Sequence, residues 1–429
     1  MFHEAGEDTA PGNLPGGVAM NEAENVVVVG GCGHAGLPFG MVLADRGMNV
    51  CLFDIDERAV ATVNQGKMPF REEGADALLP KLIGKSLRAT TDPTCLRDAK
   101  VVISVIGTPV DAYLSPTVAT LYRNLDELIE YLPEDSLLIL RSTLYPGVTR
   151  LIRDRLQERH RKIHVAFCPE RIAEGRALHE LTSLPQIISA FEPEALAKTR
   201  QLFKRVAPKV IELEPMEAEL AKLFSNSWRY LNFAASNQFY MLAQSYGVDF
   251  YRIYDAVTHE YPRMRSFAKA GFAAGPCLLK DTLQLSAFSG NNFFLGHAAM
   301  LINEGLPNFV VNGLRNEGLS KSTVAILGMA FKGDSDDVRS SLSYKLKKLL
   351  EVEAREVICT DPFVKNATLV PLDEAIARAG IVILGAPHSE YRNLQIPKNK
   401  KVVDVWGFWR ASDIKKTNEE EQFQEMIAK

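Results

Sequence analysis

Short apolar runs alternate with stretches of helical composition through the first half of the chain. The first run, residues 25–30, holds four consecutive valines, and a glycine-rich turn, a helical stretch and a second run at 49–54 follow it. Unbroken apolar strands that alternate with helices indicate a parallel sheet covered on both faces. Similar runs recur at residues 101–106, 137–140, 164–167 and 186–189. This pattern predicts a doubly wound parallel-sheet domain.

The pattern changes after residue 215. Residues 216–246 contain neither glycine nor proline, which predicts one long helix between two domains. Apolar runs return at 323–327, 356–360, 381–384 and 401–405. We therefore predict an α/β fold with two Rossmann-like, doubly wound parallel-sheet domains joined by a long central helix and a helical middle domain. The predicted division is a flexible leader at 1–24, a Rossmann domain at 25–210, a central helical domain at 211–305, a second α/β domain at 306–412 and a polar tail at 413–429.

Composition and charge exclude several classes of protein. The chain of 429 residues is too long for one ordinary core, and its formal net charge of −4 includes no basic stripe of the kind that nucleic-acid binding needs. No apolar run is long enough to cross a bilayer, and the leader lacks the features of a signal peptide. The six cysteines form no C-x-x-C pair and no metal-finger spacing. We expect a cytoplasmic protein with no metal site and no membrane or nucleic-acid partner.

A dinucleotide fingerprint follows the first apolar run. Gly31, Gly33 and Gly36 have the spacing G-x-G-x-x-G, with His34 and Ala35 between the last two. The glycines suit a tight turn, a close approach of the backbone to a pyrophosphate, and close packing of helix on sheet. Asp54 ends the second run, where an acid binds ribose hydroxyls and repels a 2′-phosphate. These features predict an NAD site; a flavin or another nucleotide in the same turn is the alternative.

Three polar constellations could carry chemistry. Cys277 lies between small residues with Lys280 and Asp281 one helical turn further on, so either side chain could activate the thiol. A buried structural cysteine is the alternative. Lys222 and Asn226 share a face of the long helix and could hold an alcohol oxygen, unless Lys222 simply pairs with Glu219. The run 168–175 follows a strand and offers two carboxylates and an arginine to a ligand, unless it is only a charged helical turn.

Several motifs in order carry a family resemblance. Besides the fingerprint they are residues 64–74, 107–109, 142–147, 168–171, 327–341 and 361–362. From residue 26 to 406 the chain resembles the UDP-glucose/GDP-mannose dehydrogenase family, which oxidises nucleotide sugars with NAD. The resemblance implies a four-electron oxidation of a sugar CH₂OH to a carboxylate with two NAD⁺ and one water.

The resemblance also implies roles for individual residues. Cys277 matches the nucleophile that forms a thiohemiacetal and then a thioester. Lys222 and Asn226 match the pair that stabilises the oxyanion, Asp281 matches the partner of that lysine and of a water, and Glu170 matches the glutamate implicated in hydrolysis. Further matches are Thr143 beside the nicotinamide, the cofactor contacts Thr108, Glu174 and Arg339, and the substrate contacts Arg171, Arg263, Gly275, Phe331 and Lys332.

The choice of sugar rests on two short motifs. Pro169-Glu170-Arg171 and Tyr261-Pro262-Arg263 resemble the UDP-N-acetylhexosamine branch, whereas Glu174 is typical of the glucose enzymes. We predict a UDP-N-acetylhexosamine (UDP-ManNAc or UDP-GlcNAc) as substrate, with UDP-glucose as the alternative. The resemblance places this UDP-sugar between the two α/β domains and implies a homodimer through the central helix. A single-oxidation enzyme and an NAD-sensing binding protein are the other functional classes.

The cysteine loop departs from the family pattern. Phe272 and Ala274 stand where the family has glycines, and Pro276 precedes the nucleophile. Any backbone conformation that needs glycine must therefore have moved to Gly275 or been lost.

Overall fold

The computed structural model describes residues 25–107, 118–273 and 275–410. Within these ranges the strands form an eight-stranded sheet in the order β3-β2-β1-β4-β5-β6-β7-β8 and a four-stranded sheet in the order β10-β9-β11-β12. The strands are β1 (Asn25–Val29), β2 (Asn49–Phe53), β3 (Leu87–Thr90), β4 (Val101–Ser104), β5 (Leu137–Leu140), β6 (His164–Phe167), β7 (Gln186–Ala190), β8 (Val210–Glu212), β9 (Thr323–Leu327), β10 (Glu356–Thr360), β11 (Ile381–Leu384) and β12 (Lys401–Val403).

Helices cover the sheets and build the region between them. They are α1 (Gly36–Asp45), α2 (Glu57–Asn64), α3 (Ala75–Leu82), α4 (Val118–Ile129), α5 (Val148–Glu158), α6 (Ala177–Ser183), α7 (Pro193–Phe203), α8 (Pro215–Ser245), α9 (Phe250–Thr258), α10 (Leu278–Phe288), α11 (Phe294–Arg315), α12 (Leu342–Glu353) and α13 (Leu372–Arg378). The predicted α/β class with two parallel-sheet units and a helical middle is confirmed.

The valine run shows why these strands lack a polar face. Val26 and Val28 of β1 pack into one apolar layer, and Val27 and Val29 pack into the layer on the opposite face of the sheet. Successive side chains of a strand point to opposite faces. A strand covered on both sides must therefore be apolar at every position. Strand β9 repeats this arrangement in the second sheet, between two further apolar clusters.

The structure differs from the predicted sheet at its edges. Strands β3 and β8 were not predicted, because each has exposed positions and forms no continuous apolar run. Strand β7 pairs antiparallel with β6, whereas the other described pairings are parallel. Strand β7 therefore starts near the edge at which β6 ends, and the loop after β6 lies beside the start of β7.

The long helix predicted after residue 215 is α8. Glu214 and Glu217 form a capping box, and Pro215 stands in the first turn, where its missing N–H costs no hydrogen bond. One side of α8 packs on α10 and α11. No helix among the described residues is both long enough and apolar enough to cross a membrane.

Candidate active site

The cysteine loop lies between the helical middle and the second sheet. The Asn237 side-chain amide of α8 clamps the start of the loop: its Nδ2 donates to the Gly271 carbonyl at 3.0 Å, and its Oδ1 accepts from the Gly271 N–H at 2.8 Å. Gly275 has a φ of +103°, and a β-carbon at this position would lie 2.7 Å from the Phe331 ring. The glycine conformation has thus moved to Gly275, and two predicted substrate residues, Gly275 and Phe331, are in contact.

Cys277 ends this loop and forms the N-cap of α10. Its side chain is exposed. Desolvation by the surrounding protein and the negative charge of Asp281 raise the pKa of the thiol, and the opposing charges of Lys222 and Lys280 only partly offset them. The raised pKa disfavours the thiolate that nucleophilic attack requires. Losing the thiol proton during the reaction requires a base or an additional positive charge.

Asp281 gathers several predicted catalytic groups around one carboxylate. It is fully buried, and its Oδ2 accepts a hydrogen bond from Asn226 Nδ2 at 2.6 Å and another from Thr143 Oγ1 at 3.2 Å. Lys280 Nζ lies 3.4 Å from Oδ1. The backbone N–H of Asp281 donates to the Cys277 carbonyl at 2.8 Å, so this carboxylate stands one helical turn from the thiol. The structure thus joins α8, the loop after β5 and α10 at one point.

Lys222 is buried without an ion-pair partner among the described residues. The pairing with Glu219 considered above does not occur. Glu219 is buried as well, and it accepts from the N–H groups of Gly147 and Thr149 at 2.6 and 2.9 Å, thereby capping the N-terminus of α5. The Lys222 ammonium is therefore left near the thiol, where it lowers the thiol pKa. A buried ammonium without a counter-charge favours an anion or a developing oxyanion beside it.

Glu170 stands after β6 and is held by three donors. The guanidinium of Arg141, at the end of β5, bonds one carboxylate oxygen, and the N–H groups of Arg171 and Ile172 bond the other at 2.8 and 3.1 Å. The Arg171 side chain donates to the Pro185 carbonyl, so its guanidinium is held against the segment before β7. The run 168–175 is a loop rather than the charged helical turn considered as an alternative, and α6 begins only at Ala177.

The fingerprint turn has the shape that a dinucleotide needs. Gly30 takes the left-handed conformation, with a φ of +76°, and Gly31 is required for space, since a β-carbon there would lie 2.6 Å from the Val28 carbonyl oxygen. The tight turn predicted at Gly31 thus begins one residue earlier, at Gly30. A β-carbon on Gly33 would meet nothing closer than 3.7 Å, so the turn is open where a phosphate would approach.

The rest of the cofactor set surrounds this turn. Asp54, half-buried at the end of β2, accepts from the Cys32 N–H at 2.9 Å. Ala35 forms the N-cap of α1, whose first turn starts at Gly36. The His34 ring stacks on Phe70 with centroids 4.0 Å apart. Open glycines, a helix N-terminus and a strand-end carboxylate fit NAD.

A charged latch joins the two α/β units across the cleft. Arg339 donates to Glu174 at 2.9 Å and to Asp337 at 2.6 Å, and Lys332 donates to the Glu174 carbonyl. Burial and a hydrogen bond with Asp337 raise the pKa of Glu174 to about 7. Burial and the positive charge of Arg339 lower the pKa of His34, which lies beside the two carboxylates. Three predicted ligand contacts, Glu174, Lys332 and Arg339, therefore meet in one place.

Two predicted residues lie outside these clusters. Arg263 is exposed on the short 3₁₀ turn after α9, and its guanidinium contacts Tyr261. Thr108 lies outside the described residues. Sequence reasoning missed Arg141 and Asn237, because each acquires its partner only when distant segments pack together. It also missed Asp337, although its partner Arg339 lies only two residues further along the chain.

Three family models match the chain in the order of its parts. The NAD binding domain of the UDP-glucose/GDP-mannose dehydrogenase family matches residues 24–207, its central domain 216–304, and its UDP binding domain 325–411. The chain belongs to the UDP-glucose/GDP-mannose dehydrogenase family. It is an NAD-dependent nucleotide-sugar dehydrogenase, an oxidoreductase with NAD as its cofactor and a UDP-sugar as its substrate.

Individual relatives cover almost the same range. The UDP-N-acetyl-D-mannosamine dehydrogenase of Pyrococcus horikoshii is 29% identical over 383 residues, which are 86% of this chain and 90% of that protein. The NDP-N-acetyl-D-galactosaminuronic acid dehydrogenase of Ralstonia nicotianae is 26% identical over 90% of this chain and 97% of its own. The solved structure of the UDP-D-ManNAc dehydrogenase from Pyrococcus horikoshii superimposes with a TM-score of 0.80 at 27% identity, over 86% of this chain and 91% of that one.

Proposed function

We propose that the protein oxidises the C6 hydroxymethyl group of a UDP-N-acetylhexosamine, UDP-ManNAc or UDP-GlcNAc, to a carboxylate. Two NAD⁺ are reduced to NADH for each sugar, and one water supplies the second carboxylate oxygen. The observation that carries the proposal is the convergence of Cys277, Lys222, Asn226, Asp281 and Thr143 beside the Gly275–Phe331 contact. The relatives named for N-acetylated sugars support this choice of sugar. Glu174 keeps UDP-glucose as the alternative.

We assign the role of the nucleophile to Cys277, which stands at the start of α10. The sulfur adds to the C6 aldehyde to give a thiohemiacetal, and a second oxidation turns this adduct into a thioester. Trapping the aldehyde keeps a reactive intermediate on the enzyme between the two oxidations. NAD⁺, when bound, supplies the hydride acceptor for both oxidations. The first and second domains of the predicted division, 25–210 and 211–305, then supply the NAD site and the nucleophile, and the third, 306–412, holds the UDP moiety.

Lys222 and Asn226 are assigned to the oxygen at C6. Both are buried on one face of α8, and the ammonium has no competing partner among the described residues. Positive charge placed where an alkoxide or tetrahedral oxyanion develops lowers the barrier more than it strengthens substrate binding. Asp281 holds the Asn226 amide in place, and with Thr143 it offers polar atoms to a water. Glu170 is assigned to thioester hydrolysis.

A panel of UDP- and GDP-sugars tests the proposal, with NADH and sugar acid counted for each. We expect two NADH per UDP-N-acetylhexosamine. One NADH would indicate a single-oxidation enzyme, none would indicate an NAD-binding protein without turnover, and preference for UDP-glucose would select the alternative sugar. Cys277→Ser should abolish acid formation while NAD⁺ still binds, and Cys95→Ser should leave both unchanged. Acid formation at the native rate in Cys277→Ser would exclude the covalent mechanism.

We further propose a homodimer through α8, located in the cytoplasm. The face of α8 turned away from α10 and α11 carries large exposed apolar residues, and it continues into an apolar groove of about 580 Å³ at the C-terminal end of the helix. The large exposed apolar residues are Phe224, Trp228, Phe239 and Leu242 on α8 and Tyr246 at its C-cap. A helix that is apolar on opposite faces is buried on both, and a second copy of α8 offers the matching surface. Six free cysteines suit a reducing compartment.

Light scattering on the intact protein tests the dimer. We expect twice the chain mass for the native protein and a shift toward monomer for Trp228→Asp. A matched charge placed at Val352, an exposed apolar residue on α12, should leave the mass unchanged. A monomeric native protein would contradict the proposal.

A further inference from the structure

Arg141 is a fully buried cation that neither the sequence prediction nor the proposed mechanism uses. It follows the last residue of β5, and its side chain has no exposed surface. The guanidinium carbon lies 4.1 Å from the ring centroid of Phe39 on α1 and 5.2 Å from that of Phe203 on α7. Two aromatic faces thus stabilise this charge under the edge of the sheet at which ligands bind in such folds.

The polar contacts of Arg141 converge on the residue after Pro169. Its guanidinium bonds Glu170 and, at 3.2 Å, Gln186 Oε1, and its carbonyl accepts from the Glu170 N–H at 3.0 Å. The Gln186 amide in turn donates to the Pro169 carbonyl at 3.2 Å. Arg141 therefore fixes both the carboxylate and the backbone N–H of Glu170, and Gln186 fixes the carbonyl of the residue before it.

The same short segment reaches the cysteine helix. Thr143 lies two residues after Arg141, and it donates to Asp281, which stands one helical turn from Cys277. The segment 141–143 thus connects Glu170 to the nucleophile through three contacts. A shift of this segment would move the hydroxyl beside Asp281 and the carboxylate of Glu170 together.

We propose that Arg141 is a positioning residue for the hydrolysis step, which rests on the proposed function of Glu170. In this step a water oxygen adds to the thioester carbonyl carbon while its proton passes to the Glu170 carboxylate. The C–S bond then breaks, and Cys277 leaves as a thiolate. Arg141 holds Glu170 as an oriented anion before the water reacts. Burying an ion pair has a considerable desolvation cost, which apolar side chains of similar size would avoid. The presence of the buried pair therefore suits a role other than stabilising the fold.

Single-turnover experiments on the full-length protein test this role. In Arg141→Met we expect NADH formation within about two-fold of the native rate, while acid release slows about ten-fold or more, because general-base assistance is impaired. The acyl adduct on Cys277 should then accumulate and be detectable by intact-protein mass spectrometry. Arg141→Lys should restore part of the hydrolysis rate.

A double-variant cycle keeps the proposal testable even when Arg141→Met is less stable. If Arg141 acts through Glu170, adding Arg141→Met to Glu170→Gln should slow acid release no further than Glu170→Gln alone. Additive losses, or equal losses of NADH and acid without an adduct, would mean that Arg141 is only structural. A native protein that forms fewer than two NADH per sugar would refute the proposed function instead. Normal hydrolysis in Arg141→Met would refute only the role of Arg141.

Discussion

The two sheets of the molecule start with the same strand–turn–strand unit. After β1, Gly30 has a φ of +76° and its N–H donates to the Phe53 carbonyl at 2.9 Å. After β9, Gly328 has a φ of +92° and its N–H donates to the Thr360 carbonyl at 2.9 Å. In each unit an aspartate ends the second strand and accepts hydrogen bonds from the turn.

The two aspartates differ in what else they bind. Asp54 is half-buried and accepts only from the N–H groups of Cys32 and Asp56 among the described residues. The Asp361 side chain is fully buried, and both of its carboxylate oxygens accept hydrogen bonds from groups inside the protein. Its donors are His388 and the N–H groups of Met329, Ala330, Phe363 and Val364.

His388 explains how the second unit uses its acid. Its Nδ1 accepts from the Asp334 N–H at 2.9 Å, so the ring proton lies on Nε2, which faces Asp361 at 3.0 Å. The turn 328–334, which carries Phe331 and Lys332, is thereby tied to the strand behind it. The first unit keeps its aspartate available to a ligand, whereas the second uses it to fix the loop that presents other residues to a ligand.

Removing the Asp361 carboxylate should have the largest effect of this comparison. Asp361→Asn would leave several buried N–H groups and His388 without their acceptor, so we expect the free energy of unfolding of the C-terminal unit to fall by about 3–5 kcal/mol. Asp54→Asn should cost about 1 kcal/mol, because its surroundings are wetter. Urea denaturation of both variants measures the difference. Equal losses would mean that the two aspartates play the same part.

The same contrast should appear on acidification. Burial tends to raise the pKa of Asp361, but the hydrogen bond from His388 and the backbone donors outweigh it and lower the pKa to about 2. This stabilisation is complete above the usual aspartate pKa near 4 and is lost as the pH falls through about 2. It amounts to about 2 kcal/mol. The stability difference between the native protein and Asp361→Asn should therefore shrink between pH 5 and pH 2, and a constant difference would contradict the assignment.

Removing the Asp54 carboxylate should act on the coenzyme and not on the sugar. In Asp54→Ala we expect the KM for NAD⁺ to rise about ten-fold, which corresponds to one lost charged hydrogen bond, and the discrimination against NADP⁺ to fall. The matched control is Asp56→Ala, which removes the N-cap of α2. It should cost about 1 kcal/mol of stability without changing the KM for NAD⁺. A raised KM in the control instead would place coenzyme recognition elsewhere.

The sequence predicted best what is repeated or locally determined. The central strands were predicted because burial on both faces demands unbroken apolar runs. For the cysteine loop, the sequence left open whether the glycine conformation had moved to Gly275 or been lost, and the structure has it at Gly275. Edge strands β3 and β8 were not predicted, because their exposed positions interrupt the run of apolar residues. Arg141 was not predicted for a different reason. It directly follows the apolar strand β5, whereas its partner Glu170 lies on the loop after the neighbouring strand β6, so only the pairing of the two strands brings them together. Spacing left a pairing of Glu219 with Lys222 open as an alternative, whereas in the structure Glu219 caps α5.

The titration of Glu174 should have the smallest effect on stability. This residue belongs to the latch, which joins the two units compared above. Because the pKa of Glu174 is raised to about 7, the folded protein favours the protonated form of this side chain more than the unfolded chain does. The protonated carboxyl can donate to Asp337. The stabilising contribution is therefore complete below the usual glutamate pKa near 4.5 and is lost as the pH rises through about 7. The melting temperature of the native protein should fall by a few degrees between pH 6 and pH 8.

Glu174→Gln tests this assignment, since the amide keeps the shape of the protonated acid and cannot ionise. We expect its melting temperature to be flat over the same range and to meet the native value near pH 6. The control Glu304→Gln removes a partly exposed partner of Lys345 outside the latch and should keep the native pH dependence. If Glu174→Gln retained that dependence, a group outside this contact would be titrating. His34 could not account for it, because a histidine whose pKa is lowered on folding makes stability rise with pH, whereas the predicted melting temperature falls.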